Sequence, residues 1–366
     1  MISLLASSYQ REVATALDLT RAACRAAADL QGGIARRSEA TQKADRDGTG
    51  FGVSPVTVAD FTVQCLLLGS LAQEFPDDRF IAEETSADLL AADAATREAV
   101  VAAVSRYSGR EWSEADACAA LDLGLGGTVD GWSRQGRTWV LDPIDGTKGF
   151  LRGDQYAVAL SMLEGGRPMV GLLGCPNLAP TSARASRFDA KTSGGTLTWA
   201  VRGTGARVRS ALLDVRHGLD LDEKLRVSDE AYAPHIVRCE AAEAAHSSFG
   251  TAAAAASACG FDAQAPIRID GQGKYCCVAR GEAHVYTRLP RAGYRENIWD
   301  HAAGALIVEE AGGRVSDLNG DPLDFSQGAK LDMRVTGIVA TNGRVHDTLL
   351  EALRDVGDFW DQSTSA

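Results

Sequence analysis

The sequence predicts a layered protein of the α/β or α+β class, in which helices cover sheets. Its second half alternates short apolar runs of strand length with alanine-rich helical runs, the pattern of strands connected by helices. Its first half groups apolar runs at 138–142, 156–163 and 169–174 behind a set of helical segments. At 366 residues, 45% of them hydrophobic, the chain exceeds what one core usually covers. Two domains of roughly 100–200 residues each are expected.

Residues 3–32 place Leu4, Leu5, Val13, Leu17 and Ala28 at helical spacing and stop at Gly32-Gly33. That predicts a long opening helix with a glycine stop. Residues 41–55 are polar and glycine-bearing and read as a loop; Val58 to Phe75 then forms an apolar segment ending at the turn Pro76-Asp77-Asp78. Phe80-Ile-Ala82 reads as a short strand entering Glu83-Glu84, and the acidic, alanine-rich stretch 87–123 as surface helices. The glycine cluster Gly124 to Gly131 lacks the spacing of a dinucleotide-binding turn and reads as loop. Thr192 to Val201 alternates in period two, as a hairpin does.

Residues 206–234 carry mixed charge and no period, which makes them the expected join between domains 1–232 and 233–366. Beyond it the sequence predicts a strand at 235–239, a helix at 248–259, a short strand at 268–270, a helix near 273–280 and a strand ending at Arg288. Ile298 to Ala311 reads as a helix stopped by Gly312-Gly313. A strand near 336–341 and a helix near 344–354 complete the chain.

A net charge of −12 and a pI near 5.0 argue against a nucleic-acid polymer as partner, because phosphate backbones need a basic field. They leave room for an anionic small molecule, since bound cations invert the local field. No apolar run approaches the ~18–20 residues of a membrane crossing, so no membrane partner is expected. Met1 to Ala28 carries Glu12 and Asp18 and lacks a compact signal core. The cytoplasm is the expected compartment, or an organelle if a targeting segment has been removed. Eight scattered cysteines form no CxxC pair, which disfavours zinc and leaves reduced thiols as the expectation. A monomer is the expected state, with a dimer as the alternative.

The chemistry concentrates in Trp139-Val-Leu-Asp142-Pro-Ile-Asp145-Gly-Thr147-Lys-Gly-Phe150. An apolar run delivers two acids, three residues apart, into a turn where Pro143 has no N–H to give and Gly146 tolerates positive φ. Carboxylates held that close repel unless a cation lies between them, and a divalent metal is the simplest answer. Further acids end apolar elements at Val58-Ala-Asp60-Phe, Ile81-Ala-Glu83-Glu84 and Ile298-Trp299-Asp300-His301. Singly, each reads as well as a solvated helix residue, a strand end or a helix cap. Their conjunction around Asp142 and Asp145 points to a metal site.

That conjunction, extended by Lys148-Gly-Phe150-Leu-Arg-Gly153 and by Glu310-Ala-Gly-Gly313 behind Trp299-Asp300-His301, resembles the lithium-sensitive, magnesium-dependent phosphomonoesterases related to inositol monophosphatase. Ser54-Pro-Val-Thr57 and Lys274-Tyr275 bring it nearest to their 3′(2′),5′-bisphosphate nucleotidases. The resemblance runs from about residue 8 to about residue 354. It implies an inositol-monophosphatase-like fold layered αβαβα, with the metal site between its halves.

The resemblance implies that Glu83, Asp142, Asp145, Asp300 and the carbonyl of Ile144 hold two or three Mg²⁺ ions, all through hard oxygen donors. It gives Asp60 and Thr147 the task of orienting and deprotonating the attacking water, with the hydroxyl proton of Thr147 passing to Asp60. The amides of Gly146 and Thr147 would face the phosphate, together with Asp300 on the substrate side. His246 would lie against an adenine, and Lys274 and Arg288 would hold the phosphate that is not cleaved, as two fixed cations suit a dianion. In this reading the first domain carries most metal ligands and the second the nucleotide contacts and the last ligand.

Gly271 stands where the resembled enzymes have serine, and Gly273 where they have alanine. The expected result is weaker nucleotide binding, by about 1 kcal/mol for one neutral hydrogen bond. The implied activity is removal of the 3′-phosphate of adenosine 3′,5′-bisphosphate, extending to its sulfate-bearing analogue. The alternatives are an inositol (poly)phosphate 1-phosphatase, which does not need His246, Lys274 and Arg288 together, and a catalytically silent nucleotide sensor.

Overall fold

The computed structural model describes residues 8–34, 41–43, 54–56, 58–126, 136–179, 194–212, 222–242, 249–290, 294–332, 334–335 and 337–363. The chain opens with α1 (Gln10–Ile34), the short antiparallel pair β1 (Thr41–Lys43) and β2 (Ser54–Val56), and α2 (Val58–Glu74). Then come β3 (Arg79–Ala82), α3 (Ser86–Ala91), α4 (Ala94–Ser108), α5 (Glu114–Asp122), β4 (Arg137–Asp145) and α6 (Thr147–Arg152). A run of strands follows: β5 (Ala157–Glu164), β6 (Arg167–Cys175), β7 (Thr196–Val201), β8 (Gly205–Ser210) and β9 (Glu223–Lys224). The rest alternates: β10 (Arg238–Glu240), α7 (Phe249–Ala258), β11 (Ile267–Arg268), α8 (Gly273–Ala279), β12 (Val285–Arg288), α9 (Ala302–Glu310), β13 (Arg314–Asp317), β14 (Ile338–Thr341) and α10 (His346–Ser363).

Strands β3 to β9 form a seven-stranded sheet in sequence order, with β3 and β4 parallel and the remaining pairs antiparallel. A five-stranded sheet runs β11-β10-β12-β14-β13, parallel across its first three strands and antiparallel beyond.

The period of two along these strands builds the layers. Trp139 and Leu141 face a core shared with Val13, Leu17 and Ala23 of α1 and Val63, Leu67 and Leu71 of α2. Val140, Ala157 and Leu173 face the opposite way, onto Tyr275 of α8 and Leu306 of α9. Tyr286 and Ala340 of the second sheet pack on that same helix pair, while Val285 and Val339 turn outward to Ala255 of α7 and Leu349 of α10. The order is helices, seven-stranded sheet, helices, five-stranded sheet, helices: the αβαβα layering expected. Helices α3 to α5 cover the outside of α2 through Leu89, Val100, Val104 and Leu121.

The structure revises several sequence expectations. Helix α1 begins at Gln10 and runs through Gly32 to Ile34 instead of stopping at the glycines. The Gln31 side chain donates to the carbonyls of Phe150 (3.0 Å) and Asp154 (3.1 Å), so tertiary contacts override the glycine's poor propensity. The ends of the stretch read as a loop at 41–55 pair as β1 and β2. Strand β8, the partner of β7, lies inside the segment read as the domain join, and β13 has no counterpart among the predicted strands.

Candidate active site

Strand β3 runs parallel to β4 with Ala82 opposite Leu141, so Glu83 emerges one step on, beside Asp142. The ladder between β4 and β5 then shifts register between Asp142 and Asp145, a bulge that re-aims side chains next to a site. The amide of Ile144 donates to Asp142 Oδ1 at 3.1 Å. Gly146 follows with φ of 93°, and Thr147 starts α6. The turn expected at Pro143–Gly146 is therefore completed one residue beyond a strand that continues through the proline.

From the second half, a single 3₁₀ turn at Ile298–Asp300 brings Asp300 to the same place. Oxygens of Asp142, Asp145 and Asp300 lie within 4.8 Å of one another. Burial raises the pKa of Asp142 well above the usual carboxylate range, and the charges of Glu83, Asp145 and Asp300 raise it further. Asp300 is raised in the same way, by burial first and then by Asp145, Glu296 and Glu83. Asp145 is raised by burial, against the pull of Lys274, His301 and the Gln272 amide. Three acids that resist joint ionisation, with Glu83 beside them, all offer hard oxygens and fit a divalent cation such as Mg²⁺. Their donor set does not suit a soft metal.

The segment 270–274 faces this cluster. The Gln272 side chain donates to the Trp299 carbonyl at 2.9 Å and accepts from the Gly304 amide at 3.1 Å. That residue alone therefore binds the Asp145 loop, the Asp300 turn and α9 together. Asp270 pairs with Arg152 of α6. Gly271 has φ of +61°, and a Cβ there would overlap the Asp145 carbonyl oxygen and lie 2.9 Å from its carbonyl carbon. A serine cannot occupy this backbone, so Gly271 is a steric requirement of this chain and more than a lost hydroxyl.

Lys274 is buried; its ammonium donates to the Gly271 carbonyl at 2.7 Å and the Ile269 carbonyl at 3.4 Å. Burial lowers its pKa, with Asp145 opposing the shift. Arg288 closes β12 and donates from Nε to Glu296 at 2.7 Å. Burial alone would raise the pKa of Glu296, but the Arg288 charge and the contacts with His301 and Arg288 prevail and hold it at about 2. Its second oxygen lies 3.3 Å from His301 Nε2, and His301 Nδ1 lies 2.9 Å from the Tyr275 hydroxyl.

Asp60 is buried in the first turn of α2. One turn later, Gln64 donates to the Glu84 carbonyl at 2.6 Å and accepts from the Glu84 amide at 2.9 Å, fixing the strand end that carries Glu83. The Thr147 hydroxyl donates to the Ile144 carbonyl at 3.2 Å. The expected hand-over of the Thr147 proton to Asp60 involves a carbonyl, Ile144, that is itself a candidate metal ligand. His246 lies outside the described residues. Gln64, Gln272 and Glu296 were missed at the level of sequence; the one visible signal was a glutamine interrupting the apolar run Phe61 to Leu68.

The inositol monophosphatase family profile matches residues 16–358. A 3′(2′),5′-bisphosphate nucleotidase of Emericella nidulans is 39% identical over 83% of this chain and 88% of its own length. One from Oryza sativa is 38% identical over 98% of this chain and 97% of its own. Among solved structures, the IMPase of Thermotoga maritima aligns with a TM-score of 0.59 at 20% identity, over 95% of this chain and 98% of that one. The extragenic suppressor protein suhB of Bartonella henselae aligns at 0.60 and 19%, over 94% and 98%. Both share the layered fold. A profile match from α1 to α10, on a chain that brings Asp142, Asp145 and Asp300 together, places this protein in the inositol monophosphatase family, a family of metal-dependent phosphatases.

Proposed function

We propose that this protein hydrolyses the 3′-phosphate of adenosine 3′,5′-bisphosphate, giving AMP and phosphate, and acts likewise on the analogue that carries a sulfate on its 5′-phosphate. The observation that carries the reading is a pair of cations, buried Lys274 and partly buried Arg288, within electrostatic reach of the acid cluster. A monoester with one phosphate needs no such pair. The names of the relatives support the same substrate class.

Glu83, Asp142, Asp145, Asp300 and the Ile144 carbonyl would hold two or three Mg²⁺ ions. Bound there, Mg²⁺ supplies Lewis acidity toward phosphoryl oxygens and lowers the pKa of a water. Asp60 accepts a proton from the attacking water, and Thr147 orients that water. Water oxygen bonds to phosphorus as the bond to O3′ breaks, and the 3′ oxygen takes up a proton. The amides of Gly146 and Thr147 face the phosphate that leaves, Asp300 borders the substrate, and His246 lies against the adenine. We place the boundary between the half with most metal ligands and the half with the nucleotide contacts near residue 232.

Phosphate release from adenosine 3′,5′-bisphosphate, 5′-AMP and inositol 1,4-bisphosphate, with and without Li⁺, tests the reading. Li⁺-sensitive release from the first alone, or from the first far above the others, is expected. Release from the inositol compound alone, or from none, overturns it.

A further inference from the structure

Glu296 has no role so far, although it is 1% exposed in its side chain and carries a full charge. Its contact with Arg288 is side-on, through Nε alone. An ion pair that served only stability would gain more from the two-bond, end-on geometry of guanidinium and carboxylate. Among the described residues, Nε is the only nitrogen of Arg288 with a hydrogen-bond partner. The outer amino groups are left unpaired on a side chain that is 20% exposed.

The carboxylate itself is held from behind. Glu296 accepts at its other oxygen from His301, whose far nitrogen meets the hydroxyl of Tyr275. Tyr275 stands edge-on to Tyr286, two residues before Arg288, at 5.0 Å. The chain of contacts returns to the strand where it began, so the guanidinium plane has little freedom to swing.

We propose that Glu296 is a positioning residue, which fixes Arg288 by its inner Nε edge and presents the outer N–H groups to a second anionic group of the substrate, one that the enzyme does not cleave. The inference rests on the function proposed above. It carries an electrostatic cost, because a buried negative charge lies close to where an anion must bind. Glu296 therefore trades attraction for orientation, and the two effects predict opposite outcomes on its removal.

Initial rates on adenosine 3′,5′-bisphosphate and on 3′-AMP, which differ only in the second anion, separate them. A lower KM for the bisphosphate in wild type is expected; equal KM values overturn the function reading, and this inference with it. Where wild type shows the preference, Glu296→Gln is expected to raise KM for the bisphosphate roughly tenfold, the size of one charge-assisted hydrogen bond. Its KM for 3′-AMP and both kcat values should stay within about twofold, inside the usual scatter of a distant substitution. A lowered or unchanged KM for the bisphosphate overturns the positioning role alone. An equal rise for both substrates does the same, by marking a structural role.

Arginine-selective NMR of the wild-type protein gives a reading free of any folding defect in the variant. The Arg288 Nε–H should exchange slowly with solvent and stay in place when bisphosphate is added, while the amino signals move. Fast exchange at Nε overturns the proposal.

Discussion

The backbone of Gly271 lies so close to Asp145 that a side chain on the glycine would have to displace the loop holding that acid. Gly271→Ser should therefore cost at least about 1 kcal/mol from the left-handed backbone alone. It should also raise the Mg²⁺ concentration for half-maximal activity. Thermal unfolding and a Mg²⁺ titration check this. A serine variant as stable as wild type, with the same Mg²⁺ dependence, would show that the contact carries no energy.

Gln64 holds the backbone of Glu84, next to Glu83. Gln64→Leu keeps the volume but removes both of its hydrogen bonds to the buried Glu84 backbone, which should cost about 2 kcal/mol or more. Urea unfolding gives the loss of stability. Because the strand end loosens, Mg²⁺ should also bind more weakly to the folded variant.

The mutual repulsion of Asp142, Asp145, Asp300 and Glu83 predicts that a bound metal stabilises the fold. Added Mg²⁺ should raise the melting temperature of wild type and leave that of Asp142→Asn nearly unchanged. Without metal the variant should melt above wild type, since one buried like charge is gone. Asp60→Asn, by contrast, should keep the Mg²⁺-induced rise and lose turnover. Measurable hydrolysis by Asp60→Asn would remove it as the base.

His346 offers a pH dependence away from the site. Its ring is buried between the Ser316 hydroxyl (2.8 Å) and the Thr341 hydroxyl (2.9 Å), and burial, aided by the charge of Arg314, lowers its pKa to about 4. The folded state thus disfavours the proton that the unfolded chain accepts near pH 6.5. Stability from this residue is complete above the unfolded value and is lost as pH falls from there toward 4. His346→Gln should flatten that limb of the stability–pH curve. A curve with the same slope in variant and wild type would assign the acid sensitivity elsewhere.

Local chemistry was legible in the sequence wherever a residue's role is set by its neighbours in the chain. The positive φ of Gly146 and the strand ending at Arg288 are of this kind, although the strand before Gly146 runs on through Pro143 to Asp145. Roles set by distant partners were not legible. Gln31 holds α1 past its glycines by reaching Phe150 and Asp154, and Gln272 joins backbone at Trp299 and Gly304. No spacing rule announces a glutamine that bonds to backbone far along the chain. The contact of Thr147 with the Ile144 carbonyl was invisible for a related reason, since carbonyls carry no signature in the sequence.

The helix pair α8 and α9 is the middle layer of both sheets at once, and Gly304 is bare so that α9 can lie against the Tyr275 ring. A jaw-like opening of the two halves would drag Tyr275 and Leu306 out of apolar contact on both sides. The spacing between the acids and the cations Lys274 and Arg288 is therefore held by packing on both faces of this helix pair. For the substrate proposed above, the separation of its two phosphates would be measured against a fixed distance in the fold.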